Sequence, residues 1–250
     1  MTARRDMSLR LPARARRRGG DRFPPARLEL LGGFALQFGG RAASEPHHVQ
    51  RLLAFLALQH RPLHRAFVSG RLWPELTQEH AFGCLRTTLW RMRGSAELLE
   101  ATSTHVALSD CVEVDARELA VSAEGVLKQG PDGARVDRLL HAGQLLPDWY
   151  DDWVVEERDR LGQLRVLALE LATEELIRTG AYGDAALTAA AAARADPLRE
   201  SAIRLLVRVH LAAGNAAEAL REFHAFSARL RYDLGLEPSP QLLELVGPLV

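Results

Sequence analysis

The chain of 250 residues is 47% hydrophobic and 26% charged, with 32 Lys plus Arg against 32 Asp plus Glu, the composition of a folded protein with material for two modest cores. No run approaches the ~20 apolar residues that span a bilayer, and the first residues are charged without the apolar stretch of a secretory signal. Cys84 and Cys111 have neither a CxxC partner nor a histidine at ligand spacing, so neither a disulfide framework nor a zinc site is suggested and both are read as small apolar fillers in a cytosolic protein.

The neutral total hides an asymmetry. Residues 1–115 hold 17 Arg against 11 acids, and residues 116–250 hold 15 Lys plus Arg against 21, so the halves stand at +6 and −6. Nine of those 17 arginines, with two acids, fall in residues 1–27, MTARRDMSLRLPARARRRGGDRFPPAR, which leaves the rest of the first half at 8 against 9. This tail is rich in Arg, Gly and Pro, shows no hydrophobic period and is expected to be disordered. It reads either as an arm on which Arg16, Arg17 and Arg18 neutralise phosphates and release counterions, or as an extension without function, such as a misassigned start.

After the tail, Leu28, Leu30, Phe34, Leu36 and Phe38 alternate around Gly32-Gly33, which predicts a short antiparallel meander. Val49, Leu52, Leu53, Leu56 and Ala57 then recur at helical spacing and predict a first helix ended by Pro62, with His47 and His48 at its surface start rather than on a metal. RAFVSGRLWP predicts a second short helix broken by Pro74. In AFGCLRTTLWRMRG a third helix places Ala81, Phe82, Leu85, Leu89 and Met92 on one core face. Its opposite side presents Gly83, Thr87, Trp90 and Arg91, with Arg86 and Arg93 on the flanks. LLEATSTHVALSDCVEV predicts two short strands around Ser103, Thr104 and His105, a hairpin whose tip would be a wing. Meander, three helices and hairpin together describe a winged helix-turn-helix.

A helix of this width fits the major groove, where an arginine donates two hydrogen bonds to a guanine edge and a threonine methyl packs on thymine. Flanking arginines would meet phosphates and fix the register. The competing reading of the same face is a solvated, salt-bridged helix surface.

In the second half, Gly180-Ala181-Tyr182 and Gly214-Asn215-Ala216 lie 34 residues apart, each followed by an Ala-rich helical stretch, which is the tetratricopeptide period. Asp196-Pro197 and Gly235-Leu236-Glu237-Pro238 punctuate the helices, so an all-α repeat is expected from about Asp115 onward, with a groove suited to a protein segment. The one dense carboxylate cluster, Asp148, Asp151, Asp152, Glu156 and Glu157, starts a helix beside Trp149, Tyr150 and Trp153. It is read as capping and packing rather than acid-base chemistry.

GGFALQFGG, HVQRLLAFLALQ, LWPEL and LRTTLWRMR, in that order, resemble the OmpR-type DNA-binding domain of the SARP family, antibiotic-pathway activators of high-GC bacteria. LLPDWYDDWVVEERDRL and LRYDLGLEPSPQLLEL resemble the two signatures of the bacterial transcriptional activator domain. The resemblance covers about residues 28–250. It implies a mainly α protein, with a winged helix-turn-helix (α+β) over 28–114, an all-α tetratricopeptide-like domain over 115–250 and the tail outside both.

Carried onto this sequence, the resemblance makes the LRTTLWRMR helix the recognition helix. Arg91 and Thr87 would be the base readers, Arg86 and Arg93 the phosphate clamps, and Thr104 and His105 the wing contacts. Trp90 departs from the family, where a small or polar residue is usual, and reads either as a DNA contact that stacks or wedges against the backbone or, by slight preference, as cover for a neighbouring domain. Gly83 also departs, at about 1 kcal/mol relative to Ala in a helix.

The implied partners are tandem repeats of double-stranded promoter DNA and RNA polymerase, with a homodimer on the DNA and the nucleoid as location. No cofactor, metal or catalytic residue is implied. GxxxxGK[ST], GxSxG and HExxH are all missing from the sequence, so the expectation is a small, non-enzymatic form without an ATPase domain. With only about 27 residues ahead of the winged helix, a receiver domain is not expected either. The alternative is a helical-repeat adaptor or ligand sensor whose winged helix has little DNA affinity.

Overall fold

The computed structural model describes residues 26–92 and 97–249, so residues 1–25 of the Arg-rich tail and Arg93 lie outside the described residues, whereas Ala26 and Arg27, expected in the tail, begin the first strand, with Ala26 buried in the core. Chain order begins with β1 (Ala26–Glu29), β2 (Ala35–Phe38) and β3 (Arg41–Ala43), the expected antiparallel meander, with Leu28 opposite Leu36. Gly32 and Gly33 take φ of +89° and +147° between β1 and β2, values that a residue with a Cβ rarely adopts. Three helices follow: α1 (His47–Ala57), α2 (Arg65–Leu72) and α3 (Gln78–Arg91). Between α1 and α2 lies β4 (Leu63–His64), and after α3 come β5 (Leu99–Ala101), β6 (His105–Leu108) and β7 (Val112–Val114).

Two details differ from the sequence expectation. Helix α1 stops at Ala57, ahead of Pro62, because Arg117 from the second half donates to the carbonyls of Leu56, Ala57 and Gln59. A guanidinium on these end carbonyls favours termination there through hydrogen bonds and the helix dipole. The expected hairpin of β5 and β6 is present, in antiparallel register with Leu99 opposite Leu108, but it is the edge of a three-stranded sheet of order β4-β6-β5. Strand β7 leaves the hairpin and pairs in parallel with β1, completing a sheet of order β3-β2-β1-β7.

Helix α4 (Asp115–Gln129) starts directly after β7, followed by α5 (Gly133–His141), the long α6 (Asp152–Arg178), α7 (Tyr182–Ala195), α8 (Glu200–Ala212), α9 (Ala216–Leu234) and α10 (Pro240–Val246). The 34-residue repeat corresponds to the pairs α6/α7 and α8/α9. Gly180 and Gly214 both have φ of +77°, and the next residue in each case, Ala181 or Asn215, donates its backbone N–H five residues back, to Leu176 or His210. Both turns are thus the same glycine-dependent Schellman closure.

One apolar core runs from Leu28 and Leu36 through Leu52, Phe55 and Leu85 to Trp153, Leu161 and Ala192 without a break at the junction of β7 and α4. At that junction the Asp115 carboxylate accepts from the backbone N–H of Leu30 (2.8 Å), Leu31 (3.0 Å) and Ala116 (2.7 Å). The acidic cluster serves the same seam. Asp151 pairs with Arg51 and Glu156 with Arg71 (2.6 Å), while Glu157 pairs within its own helix with Arg160 (2.7 Å). The expected capping role is corrected: Asp151 is the N-cap of α6 by position but makes no side-chain cap hydrogen bond, because its carboxylate is engaged by Arg51 across the seam.

Candidate nucleic-acid interface

Helix α3 buries Ala81, Leu85 and Met92 and half-buries Phe82 and Leu89 against the core, as its apolar period requires. Thr88 is buried as well, its hydroxyl donating to the Cys84 carbonyl at 2.9 Å, so a polar residue sits inside the apolar face with its donor satisfied within the helix. The outward side is Arg86, Thr87, Trp90 and Arg91, all exposed. Arg86 has no hydrogen bond or ion pair among the described residues. The Thr87 hydroxyl donates to the Gly83 carbonyl at 3.0 Å, which turns its methyl away from that carbonyl.

Trp90 does not cover a neighbouring domain. It is 62% exposed, and the aromatic packing at the seam is made by Trp149 and Trp153 instead. Cys84 is half-buried, in keeping with a filler, but Cys111 is exposed. Its thiol lies 3.2 Å from the Ser109 hydroxyl and 3.5 Å from the Glu97 carbonyl, so it acts as a turn hydrogen-bonding group.

Beside this face runs an open groove of about 800 Å³ between the start of α1, the turn before α3 and α3 itself, lined by His48, Trp73, Leu76, Arg86, Thr87 and Arg91. His48 is the residue that sequence reasoning missed. Its Nε2 lies 3.3 Å from Arg91 Nη1. Burial, then the Arg91 charge, then His47 hold the His48 imidazole below the usual histidine range, so the neutral ring is favoured and can accept from Arg91. Nothing in the local sequence signals this pairing, because the two residues are 43 positions apart.

Thr104 and His105 stand exposed at the hairpin tip. Thr102 closes the turn by accepting from the backbone N–H of His105 (2.9 Å) and Thr104 (3.3 Å). The Thr104 carbonyl accepts from the Arg65 N–H at the start of α2 (2.8 Å), and the His105 ring packs edge-on to His64 with centroids 5.3 Å apart. The contacts of this tip therefore run to β4 and α2, which holds it as a separate exposed projection. The structure thus gathers Arg86, Thr87, Trp90 and Arg91 on one helix face, leaves Thr104 and His105 exposed at the hairpin tip, and leaves Arg93 outside the described residues.

Residues 106–248 match the family described as the bacterial transcriptional activator domain, more than half of the chain. The chain belongs to this family. The matched region begins inside β6 and so includes β7, the strand that pairs with β1. Joined to the winged helix in front of it, the bacterial transcriptional activator domain gives this chain the SARP-type arrangement expected from its motifs. The regulatory protein AfsR of Streptomyces coelicolor is 28% identical over 82% of this chain, and AfsR of Streptomyces griseus is 25% identical over 88%. The chain spans about a quarter of the length of these relatives, 22% and 24%. Among solved structures, EmbR of Mycobacterium tuberculosis, in complex with a low-affinity phosphopeptide, aligns with a TM-score of 0.69 and 20% identity. The match covers 90% of this chain and 65% of that one, a likeness of fold.

Among the described residues no group of three or more His, Cys, Asp or Glu side chains is placed to hold a metal ion, and no helix is long and apolar enough to cross a membrane.

Proposed function

We propose that the protein is a sequence-specific DNA-binding transcriptional regulator, an activator of a biosynthetic gene cluster of the antibiotic type that binds tandem promoter repeats and contacts RNA polymerase through its helical half. The observation that carries the reading is the outward face of α3, where Arg86, Thr87, Trp90 and Arg91 are exposed together on a helix whose other side is locked in the core. Gathered on one rigid helix face, an aromatic plane and two arginines that pair with no carboxylate among the described residues suit a groove edge and a phosphate backbone. Arg91, held by His48, and Thr87 are assigned to base edges. Arg86 and Arg93 are assigned to phosphates, and Thr104 and His105 to the backbone flanking the site. The relatives named as regulatory proteins support the same reading.

The test is protection footprinting of the full-length protein on promoters from its own genome, followed by run-off transcription with purified RNA polymerase. A pair of protected repeats and polymerase-dependent stimulation are expected. Protein that binds all sequences with equal affinity, or that stimulates nothing from a bound promoter, overturns the respective half of the reading.

A further inference from the structure

A second cavity lies outside the nucleic-acid face. It is a cleft of about 750 Å³ between α4, the end of α5, the loop 142–145, the middle of α6 and the end of α7. Its size falls in the range of small-molecule pockets, roughly 300–1,000 Å³. Leu119, Leu161, Val166 and Ala191, all core residues, form the apolar part of its lining.

Three arginines meet at the same cleft. Arg158 donates through Nε and Nη2 to the carbonyls of Leu145, Leu146 and Trp149, and Arg165 donates through Nε (2.8 Å) and Nη2 (3.3 Å) to the carbonyls of Leu139 and Leu140. Both guanidinium planes are fixed by backbone carbonyls, which leaves the charge of each without a paired carboxylate and one Nη1 group of each without a partner among the described residues. Arg194, at the rim, has no hydrogen bond or ion pair among the described residues. Asp159 and Asp196 also line the cleft but pair with none of the three. Burial first, and then the charge of Arg194, push the Arg165 guanidinium below its ordinary value.

We propose that this cleft is a binding site for an organic anion with an apolar body, a medium-chain carboxylate being the simplest example, its head group on Arg194, Arg165 and Arg158 and its body against Leu119, Leu161 and Val166. An anion there neutralises the uncompensated charge, and fixed guanidinium planes lose little freedom on binding it.

The floor of the cleft is also welded to the first sheet. Leu145 bridges Leu31, Gly32 donates to the Gln144 carbonyl (2.7 Å) and Leu146 donates to the Leu30 carbonyl (2.9 Å). A Cβ on Gly143 would meet the Gly32 nitrogen at 2.9 Å, so the two backbones are in direct contact. Leu146 itself sits at φ +38°, a strained value for a leucine, between the sheet and Arg158. Occupancy of the cleft is therefore passed to the β1–β2 turn of the winged helix through backbone contacts.

Binding is read on the full-length chain without DNA, so its failure is distinct from failure of the DNA-reading proposal. The probe is 8-anilinonaphthalene-1-sulfonate, an apolar anion whose fluorescence rises on burial, with octanoate and inorganic phosphate as competitors. One saturable site is expected, displaced by octanoate and not by phosphate. Arg194→Glu should weaken it at least tenfold and Arg194→Lys should restore most of it. Gly162 lines the cleft and a Cβ there meets nothing within 4 Å, so Gly162→Leu should fill the cleft and abolish binding while leaving the melting temperature unchanged or higher. In hydrogen exchange, octanoate should slow the amides of residues 30–33 and 142–146. Equal affinity in Arg194→Glu, retained binding in Gly162→Leu, or displacement by phosphate as effective as by octanoate would each overturn the proposal, and unaltered exchange in residues 30–33 would overturn its transmission to the sheet.

Discussion

Replacing Asp115 by alanine tests the seam between the two halves. Its carboxylate satisfies the N–H groups of Leu30 and Leu31 from 85 and 84 residues away, and Leu30 is fully buried. Removal leaves the Leu30 donor unsatisfied beside the core and the Leu31 donor half-buried; a buried unsatisfied donor costs ~1–3 kcal/mol and a half-buried one less, so Asp115→Ala is expected to cost ~2–4 kcal/mol. The Ala116 N–H, also lost as a partner, is at the first turn of α4 and adds little if solvent reaches it. For a chain of this length ~1 kcal/mol corresponds to roughly 2–4 °C in melting temperature, which sets the expected drop near ~10 °C.

The assay is thermal unfolding followed by circular dichroism at 222 nm, repeated in urea to check that the slope is unchanged. Because the core continues across the junction, one cooperative transition is expected in both proteins and should move as a whole. Asp115→Asn, which keeps one acceptor oxygen, should fall in between. A drop under ~2 °C would refute the hydrogen-bond argument, given the same conversion. A biphasic melt in which only one phase moves would refute the continuity of the core.

Arg91→Ala should weaken binding to the preferred site by ~1–3 kcal/mol, roughly 5- to 150-fold, and random DNA much less, whereas Arg86→Ala should lower both alike; equal ratios of specific to non-specific affinity in the two variants, measured by fluorescence anisotropy, would undo the assignment. His48 titrates below its ordinary value of 6.5 because of burial, Arg91 and His47, so the unfolded chain takes up that proton first. Its contribution to stability is therefore complete above pH ~6.5 and is lost as pH falls below it, through the lower value of the folded chain. In Arg91→Ala the His48 ring, followed by NMR, should titrate higher than in the wild type, and an unmoved midpoint would show that the two groups do not interact. Gly83 is inside α3 with open space where a Cβ would stand, so Gly83→Ala should raise stability by ~0.5–1 kcal/mol, or roughly 1–4 °C; a lower melting temperature would mean the position needs glycine.

The parts of the fold that were legible in the sequence are those set by short periods and by glycine. Residues from Ala81 to Met92 repeat at helical spacing because one stripe is buried, and Gly180 and Gly214 stand 34 apart because the same left-handed turn recurs. Strand β4 was not legible: two residues show no alternation, and its strand character comes from Val106 and His105 more than forty residues later. Nor did β7 reveal its partner, since a parallel pairing with β1 depends on where the chain returns after three helices and a hairpin.

The acidic cluster was placed at the start of α6 and read as capping and packing, without its partners. Its counter-charges, Arg51 and Arg71, lie in the other half of the chain, and a carboxylate near a helix start reads the same whether it caps that helix or faces a distant guanidinium. Trp90 misled for a related reason. A tryptophan in an otherwise polar helix face signals a contact, with DNA or with a neighbouring domain, and the domain reading fails because Trp149 and Trp153 already fill that seam against Phe34 and Phe55.

The seam also decides how the helical half can act on the proposed DNA complex. There is no residue between Val114, which ends β7, and Asp115, which begins α4, so the two halves are not joined by a flexible linker. Arg117 on the end of α1, Asp115 on the β1 end, Arg51 with Asp151 and the Phe55–Trp153 contact, with centroids 5.2 Å apart, tie the same two bodies at separate points. A tethered pair of DNA-binding domains gains affinity through effective concentration and tolerates a range of half-site spacings, as linker length allows. A welded pair does not. If two copies associate through their helical halves, the direction of each α3 is fixed relative to the dimer axis, and the spacing of the repeats becomes a geometric consequence of the seam. Loosening the seam at Asp115 or Asp151 should therefore relax spacing preference before it removes base preference, since the residues assigned to base edges lie on α3 and are not among these contacts.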